Sequence, residues 1–247
     1  MSGHSKWATI KRDKAKTDSA RGATFTKIGR EIAVAVKQGG SDPLNNPRLF
    51  NVMAKARANN MPNDNITRSI KKAAGELGAV NYEELVYEGY GPGGSAVICQ
   101  ILTDNKNRTA SDVRHIFDRS GGALGTAGSV SYLFDRMAVV VVGKKAGISE
   151  DDVLMVALEA DADDVSDEGE VFTVKGKPAS LNTIRVALEK AGLEIINAAL
   201  EMLPQSVMEL EASKEVNFKK LLERLDECDD VQEYYHNVKL SEEPEED

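Results

Sequence analysis

A chain of 247 residues, 41% hydrophobic and 29% charged, has apolar side chains enough to bury real cores, so wholesale disorder is excluded and one to three domains are expected. Its formal charge of −9 would argue against a polyanionic partner if it were evenly spread, but residues 1–80 hold 15 Lys and Arg against 6 Asp and Glu, and the remainder holds 16 against 34. A net +9 followed by −18 divides the chain electrostatically, and binding follows where charge sits rather than its sum. Met1 to Lys16 contain no apolar core of a secretory signal, and no run approaches the roughly 18 apolar residues of a spanning helix, so a cytoplasmic, membrane-free protein is expected.

The first segment, Ser2 to Thr17, has no sustained periodicity and carries Lys6, Lys11, Arg12, Lys14 and Lys16; it reads as a basic arm. Three helices follow. From about Ser19 to Gln38, Phe25, Ile28, Ile32 and Val36 recur at steps of three or four, with Gly39-Gly40 as the stop and Lys27, Arg30 and Lys37 off the apolar face. The second opens at Asn46-Pro47, an N-cap followed by proline at the first helical position, buries Leu49, Met53 and Ala56, and leaves Arg48, Lys55 and Arg57 outside. The third follows Pro62 and Asn63, with Ile66, Ile70 and Ala74 on one stripe and Arg68, Lys71 and Lys72 elsewhere. A small helical bundle results.

From Tyr82 the period changes. Strands are expected at Glu84 to Tyr90, Ala96 to Thr103, Ser129 to Phe134, Ala138 to Val142, Asp163 to Asp167, Val171 to Val174, Leu193 to Leu203 and Val231 to Lys239. Helices carry Val113, Ile116 and Phe117, then Ile184, Leu188 and Ala191, then Phe218, Leu221, Leu222 and Leu225. The fold class is therefore α+β, with an N-terminal helical bundle over 1–80 followed by two ferredoxin-like domains. The simplest arrangement inserts 136–203 into a domain built from 81–135 plus 204–240, with 241–247 an acidic tail.

Chemistry-bearing patterns are few. Gly89, Gly91 and Gly94 satisfy G-x-G-x-x-G, but Ser95-Ala96-Val97-Ile98 continues as strand where a dinucleotide site needs a helix N-terminus, so a hairpin turn is the better account. The glycine-rich stretch from Gly121 to Ser129 lacks the Gly-Lys-Ser/Thr ending of a phosphate-binding loop and reads as a mobile connector. Three scattered histidines and two separated cysteines offer neither a nucleophile with its base nor metal-ligand spacing, so no enzyme, metal or cofactor is expected. The acidic positions Glu150, Asp151, Asp152, Asp163, Asp164, Asp167 and Glu168 read as a solvated face. Nucleic-acid binding has the positive case: cations concentrated on an arm and bundle displace counterions from phosphates, and Trp7 beside Lys6 could stack on an unpaired base or dock on the bundle as an anchor. Phosphate and shape contacts should dominate, because neither a recognition helix nor an aromatic RNA-reading strand is evident.

Several strings are specific. Gly3-His4-Ser5-Lys6-Trp7, Asp18, Arg21-Gly22, Phe25-Thr26-Lys27, Gly40, Asp42-Pro43, Asn46-Pro47-Arg48, Asn60-Met61-Pro62, Tyr87 to Gly94, Asn107-Arg108-Thr109, Val113-Arg114 and Cys228 to Gln232 together span nearly the whole chain. In these the sequence resembles the YebC/PmpR family. The resemblance implies three domains in the insertion arrangement and no catalytic residue, metal or cofactor. Its bacterial members are described as DNA-binding transcriptional regulators, and its mitochondrial relative as a translational activator working with the ribosome. Carried onto this sequence, Lys6, Trp7, Lys14, Arg21, Lys27 and Arg30 are the matched residues expected to face nucleic acid; Lys11, Arg12, Lys16, Lys55 and Arg57 join them on charge. The sequence departs from the family pattern at Asp13, Ala20 and Ala23, where basic residues are frequent, and Lys16 offsets that in part. DNA is the expected partner, with ribosomal RNA bound by a translation factor as the alternative, and protein partners are expected for the acidic domains. No pattern supports dimerisation.

Overall fold

The computed structural model describes residue 7 and residues 18–75, 80–145 and 147–241, with the side chains of 18–21 outside that description. The described residues form two compact units, one within 18–133 and 206–240, the other of 134–205 with Trp7.

The first unit begins with helices α1 (Asp18–Gly39), α2 (Pro47–Ala58) and α3 (Asn63–Ala74). Asn46 caps α2 as its sequence predicts, its side chain accepting from the Leu49 amide at 3.0 Å ahead of Pro47. Ile28, Ile32, Val36, Leu49, Ala56, Met61 and Ile66 close one apolar core between the three helices. Strands β1 (Glu83–Tyr90) and β2 (Ala96–Thr103) then form an antiparallel hairpin, followed by helix α4 (Lys106–Arg119) and the two-residue strand β3 (Ala123–Leu124). The glycines of the hairpin turn serve the turn: Gly93 and Gly94 take φ of +74° and +80°, where a side chain would be strained.

The first sheet is completed from the far end of the chain, by β8 (Val231–His236) after helix α7 (Ala212–Glu227), giving the order β3-β1-β2-β8. Val97, Cys99 and Ile101 of β2 meet Val113, Phe117, Phe218, Leu221, Leu222 and Leu225 in its core. The element succession here is β-β-α-β-α-β, not the ferredoxin-like one expected for both domains. The second unit does have that succession: β4 (Phe134–Gly143), α5 (Glu150–Glu159), β5 (Ala162–Asp167), β6 (Val171–Gly176), α6 (Leu181–Lys190) and β7 (Ile195–Pro204), in the order β5-β6-β4-β7. All paired strands within both sheets are antiparallel.

Two readings are corrected. Helix α5 was not expected, because its opening Glu150-Asp151-Asp152 looks like a solvated acidic run; those carboxylates instead occupy the first turn, where the helix dipole favours them, and Ser149 and Asp152 form a reciprocal capping box. The strand expected over Ser129 to Phe134 is mostly loop, with a turn of 3-10 helix at Ser131–Leu133, and Phe134 instead begins β4. The glycine-rich connector ahead of it is pinned rather than free. Glu88, only 7% exposed, accepts from the amides of Gly128, Val130 and Ser131, each at 2.8 Å, while the Tyr90 hydroxyl donates to the Ser129 carbonyl at 2.7 Å. Burial works against the charged form of Glu88, but those three amides outweigh it and hold the carboxyl below its ordinary range.

Candidate nucleic-acid interface

Of the residues expected to face nucleic acid, Lys6, Lys11, Arg12, Lys14 and Lys16 lie outside the described residues, as does the side chain of Arg21, whose backbone sits in the first turn of α1. Four of the others are committed to their own chain. Trp7 is 6% exposed and packs with Val139, Val141 and Val171 on the second sheet, flanked by Met137, Ile196 and Leu203. This corrects both the stacking platform and the anchor on the bundle. β4 is a near-continuous valine run whose Val140 and Val142 face α5 and α6, so Val139 and Val141 form a second apolar face, and an indole is wide enough to cover it.

Lys27, Arg30 and Lys55 also meet groups of their own chain. The Lys27 ammonium donates to the Asp226 carbonyl at 2.7 Å. Arg30 pairs with the Asp230 carboxylate, donates to the Asp229 carbonyl at 2.8 Å and stands 5.7 Å from the centre of the Tyr82 ring. Lys55 bridges Glu31 at 2.8 Å and Glu233 at 2.7 Å. Burial opposes its charge, but the two carboxylates prevail and hold its ammonium above the usual range. Nearer the rim, Arg48 pairs with Glu84 and Lys37 with Asn81. The inner side of α1 and α2 is thus neutralised by carboxylates and carbonyls from the later, acidic part of the chain.

Asp230 is the hub of this contact. At 6% exposure it takes the Thr109 hydroxyl at 2.6 Å and Arg108 at 3.3 Å as well as Arg30, and Thr103 lies 3.3 Å away. Burial would raise its pKa; the Thr109, Arg30 and Arg108 bonds outweigh that and lower it. The strings Asn107-Arg108-Thr109 and Cys228 to Gln232, to which the sequence alone assigns no role, meet here. Cys99 and Cys228 lie in the neighbouring core, where burial pushes both thiols up and away from reactivity.

What remains outward differs from the expectation. Arg57 is exposed and has no ion pair among the described residues, and the same holds for Arg68, Lys71 and Lys72 on α3, which sequence reasoning left unassigned. The acidic positions of the second unit have local duties: Asp152 caps α5, Asp167 meets Lys144 at 2.6 Å and Asp164 meets Lys175 at 3.5 Å. Among the described residues no group of three His, Cys, Asp or Glu could hold a metal ion, and no helix is long and apolar enough to cross a membrane.

Helices first, then two antiparallel sheets with helices packed on them, define an α+β protein whose net positive charge falls in the segment that holds the helical module. Residues 5–76 match the model of the TACO1/YebC protein N-terminal domain and residues 82–238 that of the TACO1/YebC second and third domain, and the chain belongs to this family. It is 50% identical, over the full length of both chains, to a "Probable transcriptional regulatory protein" of Thermoanaerobacter pseudethanolicus. A protein of the same description from Acetivibrio thermocellus is 53% identical over 96% of this chain and 98% of its own. A crystal structure of a conserved hypothetical protein from Aquifex aeolicus superposes with a TM-score of 0.82 at 43% identity, covering 94% of this chain and 96% of that one.

Proposed function

We propose that this protein is a DNA-binding regulator of transcription that holds the phosphate backbone through its N-terminal arm and helical module. The observation that carries this reading is the charge division, +9 over residues 1–80 in a chain of −9 overall. The relatives' description as transcriptional regulatory proteins supports the regulatory role. Lys6, Lys11, Arg12, Lys14 and Lys16, with Arg21 and Arg57, supply the phosphate contacts, and Lys27, Arg30 and Lys55 hold the module against the first sheet. The acidic region, read as a domain of 81–135 plus 204–240 with 136–203 inserted, faces protein partners. The protein works in the cytoplasm and needs no cofactor.

Ultraviolet crosslinking of the tagged protein in its own cells, with Lys11, Arg12, Lys14 and Lys16 all replaced by Ala as control, tests this. Discrete chromosomal DNA sites lost in the control are expected. Ribosomal RNA recovered in their place would overturn the DNA reading and make the protein a translation factor.

A further inference from the structure

We infer that the outer side of α3, presenting Arg68, Lys71 and Lys72, is a docking face for the sugar-phosphate backbone of duplex DNA; this rests on the nucleic-acid reading above and gives it a location. The three residues recur at steps of three and four, so they project from one side of the helix within about 6 Å of rise. Ile66, Ile70 and Ala73 take the other side into the bundle core, so the orientation of α3 is fixed by packing. All three cations are exposed, and none is paired among the described residues.

The contrast with the rest of the bundle distinguishes this face from an ordinary solvated one. The same chain places Asp230, Glu233, Glu84 and the Asp226 carbonyl against cations of α1 and α2, yet among the described residues no carboxylate reaches the cations of α3. Within α3 the only acid is Asp64, in the first turn, where it suits the helix dipole; the exposed positions of the last two turns carry no negative charge. Asn65 and Thr67, flanking Arg68 and Lys71 around the helix, add donors that suit phosphate oxygens. A helical turn with three unpaired cations, held rigidly by its apolar side, meets successive phosphates with little ordering of backbone. The cations facing the first sheet cannot do so without first breaking their own ion pairs.

The test uses the full chain and a mixed-sequence DNA duplex, with affinity followed against salt. Each lost phosphate contact on B-form DNA flattens the log–log slope by about 0.9, so R68A/K71A/K72A should flatten it by roughly two to three units. A control with the same loss of charge, R114A/R119A/K220A in the first sheet's domain, should keep the wild-type slope. Helicity and melting of both variants, read alongside, show that the fold persists, as exposed changes to Ala in a helix allow. A wild-type slope in the α3 variant would overturn the inference and leave the proposed function standing, as would equal flattening in both variants, which would reduce the effect to net charge. Loss of binding to a ribosomal RNA hairpin alone, with DNA binding kept, would overturn the choice of DNA for this face. Failure of the wild type to bind the duplex would overturn the proposed function and the inference together.

Discussion

At the scale of single residues, Trp7 and Glu88 are buried side chains whose surroundings their sequence neighbours do not reveal. Trp7 is the only tryptophan, so intrinsic fluorescence reports its site alone. A blue-shifted emission resistant to acrylamide is expected, and Trp7→Ala should lower the stability of the second unit by about 3 kcal/mol, as for other large aromatic truncations. A red-shifted, readily quenched emission in the wild type would contradict the packing against Val139 and Val141. For Glu88 the sign of the pH effect follows from a carboxyl held low in the folded state. Its contribution is complete above its unfolded value, about 4.3, and is lost as the pH falls through the folded one. Exchange of the Gly128, Val130 and Ser131 amides, corrected for intrinsic rate, should therefore accelerate in acid. Glu88→Gln should release them at neutral pH at a cost of about 2 kcal/mol, because an amide NH2 would face a backbone donor in place of one carboxylate oxygen.

At the scale of elements, helix α1 carries two faces with different partners. Ile28, Ile32 and Val36 pack into the bundle, while Lys27 and Arg30 meet the end of α7 and the start of β8. Asp230 is buried with four side-chain donors converging on it, so Asp230→Ala should cost about 3 kcal/mol by stranding Arg30 and Thr109. Glu84→Gln, at the half-exposed pair with Arg48, should cost under about 1 kcal/mol. Equal costs for the two in urea unfolding would mean that Asp230 is not the hub. The low folded pKa of Asp230 adds the same sign as Glu88: its contribution is present above the ordinary aspartate range and is lost in acid.

At the scale of the whole molecule, the −18 of residues 81–247 has an intramolecular use that composition does not reveal. Part of that charge neutralises α1 and α2, which leaves the N-terminal module with fewer outward cations than its sequence counts. Salt should therefore act on binding and on stability to very different degrees. Raising it weakens nucleic-acid binding steeply through lost counterion release, while the half-buried Arg30 and Lys55 pairs are screened much less. Titrating salt in parallel binding and unfolding experiments should show affinity falling well before stability does; parallel losses would mean that the inner pairs are solvent-exposed.

Local pattern sufficed wherever local physics decides. The spacing of Ile28, Ile32 and Val36, the Asn46-Pro47 cap and the continuation of Ser95 to Ile98 as strand all act within a few residues, and each is legible without a partner. The α+β class and the charge division were legible for the same reason. Helix α5 was not, because its acidic first turn resembles a surface run until the Ser149 cap gives it a direction. The fate of each cation was settled only in three dimensions. Lys27 and Arg68 are alike in sequence, both basic residues off an apolar stripe. The Asp226 carbonyl, 199 residues from Lys27 in the chain, ends beside its ammonium, whereas among the described residues no carboxylate arrives at Arg68. Charge is counted along the chain but neutralised across space, so the sequence established that the N-terminal module is basic, and only the tertiary contacts decided which of its cations remain to meet a partner.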